Sequence, residues 1–310
     1  MKKPSETVVF FGSGPVAARS LELLAQSFSI EAVVTKPLVS HNNDGATVQS
    51  VAKGLNQPAI IEASDKKELS HKVITSAFSS RVAVLIDFGI IVAQDVIDTF
   101  PMGIVNSHFS ILPEWRGPDP ITFAILSGQK QTGVSLMLLV EKMDEGPVIA
   151  QGIYQIKPSE TSSSLTTNLI DLSYALLQNI LPEYLAEKVD PQPQETAALL
   201  TYGSAKASYS HKLIKNDSLI DWHKPALRIE REVRAYIEWP KSHTVLAGHE
   251  VIITKTRVIP ENGPVGQIKV HGKRLFIYCG DQTLEILQIK PANKAEMTAE
   301  AFLAGYGKYI

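Results

Sequence analysis

Cysteine is almost absent from this chain: Cys279 is the one cysteine in 310 residues. A lone thiol excludes an internal disulfide and a cysteine-based metal site, and it points to a reducing compartment. Long apolar runs are missing as well. The longest, around Val82 to Ile97, is interrupted by Asp87, Gln94 and Asp95 and falls short of a membrane span. The polar Met1–Glu6 segment leads into an apolar stretch that ends at Gly12, too short for the core of a signal peptide. A soluble, cytoplasmic protein without a membrane partner is the expectation. The eight histidines show neither H-x-x-x-H nor H-E-x-x-H spacing, and no Walker A sequence is present. No metal site is expected, and nucleotide hydrolysis has no support. Internal repeats are also lacking.

What is present is an ordinary globular composition, 44% apolar and 20% charged, in a chain long enough for about two domains. Such a composition buries a sizeable core and excludes disorder throughout. The net charge is −2, but it is unevenly spread. Residues 1–200 carry 14 Lys and Arg against 21 Asp and Glu, whereas residues 201–310 carry 16 against 11. A basic final third fits either a polyanionic partner or a solvated surface.

Val8–Phe11 is a short apolar run that ends in Gly12-Ser13-Gly14-Pro15 and is followed by a helically spaced segment. That is a strand, a glycine turn and a helix. Further strands are expected at Ile30–Val34, Ala59–Ile61, Val82–Ile86, Gly103–Asn106, Gly133–Val140 and Val148–Ile156. Helices are expected at Val48–Leu55, from Lys66, at Pro120–Ser127 and at Ser163–Lys188. Continuous apolar strands alternating with helices predict a Rossmann-like, doubly wound, mostly parallel α/β sheet. Beyond the polar, Pro-bearing Val189–Gln194 segment the pattern changes. One helix, Pro225–Tyr236, leads into short strands at Thr244–Leu246, Glu250–Val258, Gly266–Val270, Leu275–Tyr278 and Leu284–Ile289. Short strands at close spacing predict a small OB-like β-barrel. The expected division is therefore 1–188, a linker at 189–210, and 211–310.

Two segments could carry chemistry. Gly12-Ser13-Gly14-Pro15-Val16-Ala17 fits a loose G-x-G-x-x-A dinucleotide fingerprint. The second strand, however, ends in Val34-Thr35-Lys36 with no acid for a ribose, which favours a glycine turn without a nicotinamide cofactor. Asn106-Ser107-His108 follows a strand, where open α/β sheets place their sites. An amide and an imidazole two residues apart point the same way; the amide can stabilise an oxyanion and the imidazole can take a proton. Asp144, in the Asp144-Glu145-Gly146 turn, is the carboxylate available to orient His108. In the last third, Lys206, Lys212, Lys215, Lys224, Arg228, Arg231 and Arg234 lie close together in the sequence. The three arginines share a helical face. They suit phosphate contacts, with Tyr209, Trp222 and Trp239 available for stacking, or else a solvated helix paired through Glu230 and Glu232.

The run Asn106–Ile121, N-S-H-F-S-I-L-P-E-W-R-G-P-D-P-I, resembles the 10-formyltetrahydrofolate-dependent formyltransferases. The likeness continues in Thr132-Gly133-Val134-Ser135 and Met143-Asp144-Glu145-Gly146. Ser208–Lys215 with Ile220-Asp221-Trp222, Arg234–Pro240 and Ile289–Met297 are similar to segments of the methionyl-tRNA formyltransferases within that family, so the resemblance runs along nearly the whole chain.

The resemblance implies formyl transfer from 10-formyltetrahydrofolate, as co-substrate, to the amine of initiator methionyl-tRNA, with no metal. Asn106, His108 and Asp144 would be catalytic. Phe88, Gly89, Ile90 and Ile91 with Ser110, Ile111, Leu112 and Pro113 would line the pterin pocket, largely by backbone. Lys36, Lys206, Lys212, Lys215, Arg228, Arg231 and Arg234 would meet the tRNA, and a monomer is expected. Four places depart from the family pattern. Asp87-Phe88-Gly89 stands for A-Y-G, Glu114 for a frequent basic residue, and Pro118-Asp119 for Ala-Ala. The Lys36–Asp44 loop carries a single lysine. Amino-sugar formyltransferases and a 10-formyltetrahydrofolate hydrolase are the alternatives within the family; an inactive folate- or RNA-binding protein is the alternative outside enzymology.

Overall fold

The computed structural model describes residues 6–38, 46–56, 58–203 and 206–309. The first strands and helices alternate: β1 (Thr7–Phe11), α1 (Pro15–Leu24), β2 (Ser29–Thr35), α2 (Val48–Gly54), β3 (Ala59–Glu62), α3 (Lys66–Ile74), β4 (Ala83–Leu85), α4 (Gln94–Ile97) and β5 (Ile104–His108). Then come α5 (Pro120–Ser127), β6 (Gln131–Leu138), β7 (Val148–Gln155), α6 (Ser162–Leu185) and α7 (Gln194–Thr201). Local chemistry starts these helices where they begin. Pro15 opens α1, Thr47 and Ser50 cap α2 reciprocally, and the Asp65 carboxylate accepts from Lys67 N and Glu68 N ahead of α3, each meeting backbone N–H groups that the first turn leaves unpaired.

Two compact units divide the chain, and they interleave along it. One comprises residues 1–120, 131–155 and 166–209; the other comprises 121–130, 156–165 and 210–310. In the first, seven strands run in the order β3-β2-β1-β4-β5-β6-β7. β1 to β5 pair in parallel, and β6 and β7 add antiparallel strands at one edge. The fold is the Rossmann-like, mostly parallel one. Between β1 and β4 the strand order reverses, so the loops after β1 and β4 open a crevice at the carboxyl edge. There Ser13 N donates to Asp87 O at 3.0 Å, and a Cβ on Gly14 would lie 2.2 Å from Asp87 Oδ2. A side chain at position 14 would therefore have to displace the Asp87 carboxyl.

The second unit contains α8 (Ala226–Ala235), β8 (His243–Leu246), β9 (His249–Ile259), β10 (Ile268–His271), β11 (Arg274–Tyr278), β12 (Thr283–Pro291), β13 (Met297–Thr298) and α9 (Ala299–Tyr306). Its antiparallel order is β10-β11-β12-β9-β8, with β13 on β12. Register shifts in the β9–β12 pair mark the irregularities that bend and twist such sheets. The sheet curls, OB-like, around Ile229, Val233, Leu275, Ile286 and Phe302. Arginines of α8 explain why α5 and the start of α6 belong here: Arg228 Nη1 donates to Leu126 O at 2.8 Å and Arg234 Nη1 to Glu160 O at 2.6 Å.

The differences from the sequence reading concern short elements, α4 and β13 among them. Val189–Gln194 is not bare linker: Gln192 pairs with Val148 through two backbone bonds of 2.7 and 2.8 Å, and α7 starts at Gln194. The prolines at 191 and 193 suggested a break, yet a proline ahead of the first turn costs a helix nothing. The terminal helix α9 also escaped the periodicity, being only eight residues long.

Candidate active site

β5 hands Asn106 and His108 to the carboxyl edge of the first unit's sheet. Asn106 lies opposite Leu85 and Met137, and His108 opposite Ser135. The turn between β6 and β7 brings Asp144 beside them at φ +53°. All three are buried, at 7%, 7% and 9% exposure. Asn106 Nδ2 donates to Asp144 Oδ1 at 3.5 Å, a long bond that uses one of its two hydrogens. Asp144 Oδ2 accepts the Gly117 N–H at 2.7 Å and stands 3.8 Å from His108 Nδ1. His108 Nε2 is 2.9 Å from Trp115 O. A carbonyl oxygen only accepts, so Nε2 carries the hydrogen and Nδ1 is the nitrogen turned to the carboxylate. The expected Asp144–His108 partnership is therefore an electrostatic contact, and the bond that fixes the ring comes from Trp115.

The loop after His108 is held by residues that sequence reasoning missed. Trp115 N donates to Ser208 Oγ at 2.9 Å and Arg116 N to Ser208 O at 3.0 Å. Arg116 also reaches Gln194 Oε1, at 3.1 Å from Nε and 2.8 Å from Nη2. Gln194 carried one usable signal: Glu195-Thr196-Ala197-Ala198 after Pro193 reads as a helix start, with an acid in the first turn. Ser135 and Gln151 pin the Ser110–Pro113 segment: Leu112 N donates to Ser135 Oγ at 2.9 Å, Ser135 Oγ to Ser110 O at 2.7 Å, and Gln151 Nε2 to Leu112 O at 2.8 Å.

Among the expected folate-contacting residues, the Ser110, Ile111 and Leu112 side chains are buried in the core, and the carbonyls of the segment accept from Ser135, Glu114, Gln151 and Ser208. Ile90 also joins the core, Phe88 packs edge-on to Phe11 at 5.6 Å, and Ile91 is 66% exposed. Gly89 packs under the Lys36 side chain, its Cβ direction 3.4 Å from Lys36 Nζ. Asp87, at φ +50°, is open to solvent yet crowded by protein on its other sides. Desolvation there, and the nearby Asp119 charge, push its carboxyl above the ordinary range. Burial likewise raises Glu114. Val39–Asp44 of the expected tRNA loop lie outside the described residues.

Lys206, in the first unit, and Lys212 and Lys215, in the second, are exposed. The three α8 arginines differ. Arg228 pairs with Glu232 at 2.9 Å, and Arg234 grips Glu230 with 2.6 and 2.9 Å bonds. Arg231 makes one long bond, 3.3 Å, to Ser127 O. Within the second unit Arg231, Arg234 and Arg257 share a groove of about 420 Å³ with Lys130 and Lys157; the last two and Arg257 were not foreseen. Tyr209 and Trp239 are 62% and 55% exposed, whereas Trp222 packs on the core. Cys279 is buried, and burial pushes its thiol up to about 11, which leaves it inert as a nucleophile. Among the described residues, no three His, Cys, Asp or Glu cluster to hold a metal, and no helix is long and apolar enough to cross a membrane.

Comparison with known proteins matches residues 7–181 to the family described as formyl transferase, and residues 212–307 to the formyl transferase C-terminal domain. A methionyl-tRNA formyltransferase of Chloroflexus aurantiacus is 32% identical over 307 residues, covering 96% of both chains. The chain belongs to the formyl transferase family. It is an enzyme of formyl transfer. Among solved structures, the N-formyltransferase from Helicobacter canadensis, crystallised with folinic acid and dTDP-3-aminofucose, matches at TM-score 0.69 and 17% identity, covering 92% of this chain and 100% of that one. HypX from Aquifex aeolicus matches at TM-score 0.65 and 15% identity, with 98% of this chain spanning 48% of that one. At these identities the formyltransferase shares the fold with both.

Proposed function

We propose that the enzyme transfers the formyl group of 10-formyltetrahydrofolate to the amino group of initiator methionyl-tRNA, giving N-formylmethionyl-tRNA for translation initiation. The single observation that carries this reading is the 32% identity to a methionyl-tRNA formyltransferase along 96% of the chain. The exposed Lys212 and Lys215 and the basic groove of the second unit support a polyanionic acceptor. On this reading the first unit, residues 1–120, 131–155 and 166–209, performs the chemistry, and the second, residues 121–130, 156–165 and 210–310, grips the RNA, in a cytoplasmic monomer.

The chemistry follows from the buried trio. The amine nitrogen attacks the formyl carbon, and the carbonyl electron pair moves onto oxygen. The second Asn106 amide hydrogen, not used by Asp144, donates to that oxyanion. The attacking nitrogen must lose a proton, and the N10 leaving group of the folate must gain one as the C–N10 bond breaks. His108 Nδ1 assists that proton movement, and Asp144, anchored on Gly117 N–H, stabilises positive charge on the ring. Exposed Ile91 and half-buried Phe88 give a flat pterin an apolar surface.

Single-turnover transfer from 10-formyltetrahydrofolate, with initiator and elongator methionyl-tRNA side by side, tests the reading. Transfer selective for the initiator supports it. Folate binding without transfer to either tRNA overturns the acceptor and directs the search to amino sugars.

A further inference from the structure

Gln194 is 2% exposed, and its amide is fully used. Nε2 donates both hydrogens, to Asp144 O at 2.7 Å and Gly146 O at 2.9 Å. Oε1 accepts from two nitrogens of Arg116, at 3.1 and 2.8 Å. Four bonds are the whole capacity of a primary amide. The two segments joined in this way are the ones that carry the site. On one side stands the turn that holds Asp144 at φ +53°, a conformation L-residues rarely keep without support. On the other stands Arg116, flanked by Trp115, whose carbonyl takes His108 Nε2, and by Gly117, whose N–H holds Asp144 Oδ2. Gly117 itself sits at φ +110°, a conformation that glycine adopts without strain.

Only a side chain with two donors and two acceptor lone pairs can satisfy both segments at once. A glutamate would turn oxygens on two carbonyls; a methionine would leave two buried carbonyls unmet and take two bonds from Arg116, which keeps longer contacts with Glu145 at 3.7 Å and Glu195 at 4.0 Å. The Gln192–Val148 pairing and the start of α7 set this amide where both segments are within reach.

We propose that Gln194 is a positioning residue for formyl transfer: it fixes the spacing between the Asp144 turn and the Trp115–Gly117 loop, and through them the His108 ring. The proposal rests on His108 and Asp144 being catalytic. Misplacement of about 1 Å costs on the order of 100-fold in rate, so Gln194→Met is expected to lower kcat 10- to 100-fold with KM for 10-formyltetrahydrofolate changed less than twofold.

A readout independent of turnover is the side-chain 15N spectrum of labelled histidines, with His108 assigned as the signal missing in His108→Gln. The native signal should report hydrogen on Nε2; in Gln194→Met it should move or broaden toward a tautomer mixture. Tyr174→Phe, which removes only the remote Ser27–Tyr174 bond, serves as a stability control and should leave that signal in place. In an Asp144→Asn background, Gln194→Met should cost little more. A folded Gln194→Met with native kcat and an unmoved His108 signal overturns the proposal, as does full additivity with Asp144→Asn. Should Gln194→Met lose its cooperative melt, Arg116→Lys, which thins the Arg116–Gln194 bonds, is judged by the same two readouts. If the unaltered enzyme does not formylate the tRNA, the acceptor reading fails, while the His108 spectrum still decides the role of Gln194.

Discussion

Asn106 owes its place to strand geometry and its reactivity to burial. Two positions along β5 separate it from His108, and both face the same side of the sheet. With one amide hydrogen on Asp144 and one left over, Asn106→Ala removes an oxyanion donor. It should lower kcat by about 100- to 1,000-fold, equivalent to about 3–4 kcal/mol, with folate affinity within about threefold. Single-turnover rates beside a fluorescence titration of folate check this; equal losses in rate and affinity would mean the residue is structural. Asp87 makes a prediction of the opposite kind. Desolvation and Asp119 hold its folded-state pKa above the ordinary 3.8, so ionisation costs the native state stability; that loss begins as pH rises past 3.8, where the unfolded carboxyl ionises, and is complete above the raised value. Asp87→Asn should therefore raise Tm at pH 7, and the gap should shrink as pH falls toward 3.8, where the native aspartate is itself neutral. A gap that stays constant between pH 3.5 and 8 would rule out the charge argument. Asparagine also tolerates φ +50° well.

At the scale of elements, the alternation of apolar strands and helices was readable because the sheet is buried on both faces; Val8–Phe11 and Ala83–Leu85 are apolar throughout. The roles of α8 were not. Spacing puts Arg228, Arg231 and Arg234 on one face, but not which of them is consumed. Their acceptors, Leu126 O and Glu160 O, lie 102 and 74 residues away, and no local pattern contains such partners. The same holds for His108, whose tautomer depends on a carbonyl contributed by the turn at Trp115, and for Gln194, whose meaning arises only when a segment read as linker pairs with β7. Arg228→Ala and Arg234→Ala should thus destabilise the second unit by about 1–3 kcal/mol, since each leaves a glutamate, the buried Glu232 or the half-buried Glu230, and a carbonyl short of a partner. Arg231→Ala should barely shift the melt. On the proposed RNA reading it should instead weaken binding and reduce the salt slope by about one. Melting curves and salt-dependent binding of the three variants separate the two roles, and equal Tm losses in all three would contradict them.

Across the whole molecule, charge and chemistry are partitioned. The acidic residues 1–200 include the buried trio, and the basic residues 201–310 build the curled sheet. Each unit has its own apolar core, one around Val9, Phe11 and Ile104, the other around Ile229, Leu275 and Phe302, so each can respond to a ligand of its own. A ligand that binds only folded protein stabilises it by about 2.7 kcal/mol at 100 times its Kd. If folate binds at the carboxyl edge of the parallel sheet, a non-hydrolysable folate at that excess should slow hydrogen exchange in residues 83–117 and 131–152 and leave β9, β11 and β12 unchanged. Initiator tRNA should protect α8 and Lys212–Lys215 as well, and that added protection should fade between 50 and 200 mM salt, as phosphate contacts do, while the folate protection persists. Exchange mass spectrometry resolves these segments. Folate protection spread evenly over both units would place the co-substrate elsewhere; tRNA protection insensitive to salt would deny the basic unit its proposed part in holding the acceptor.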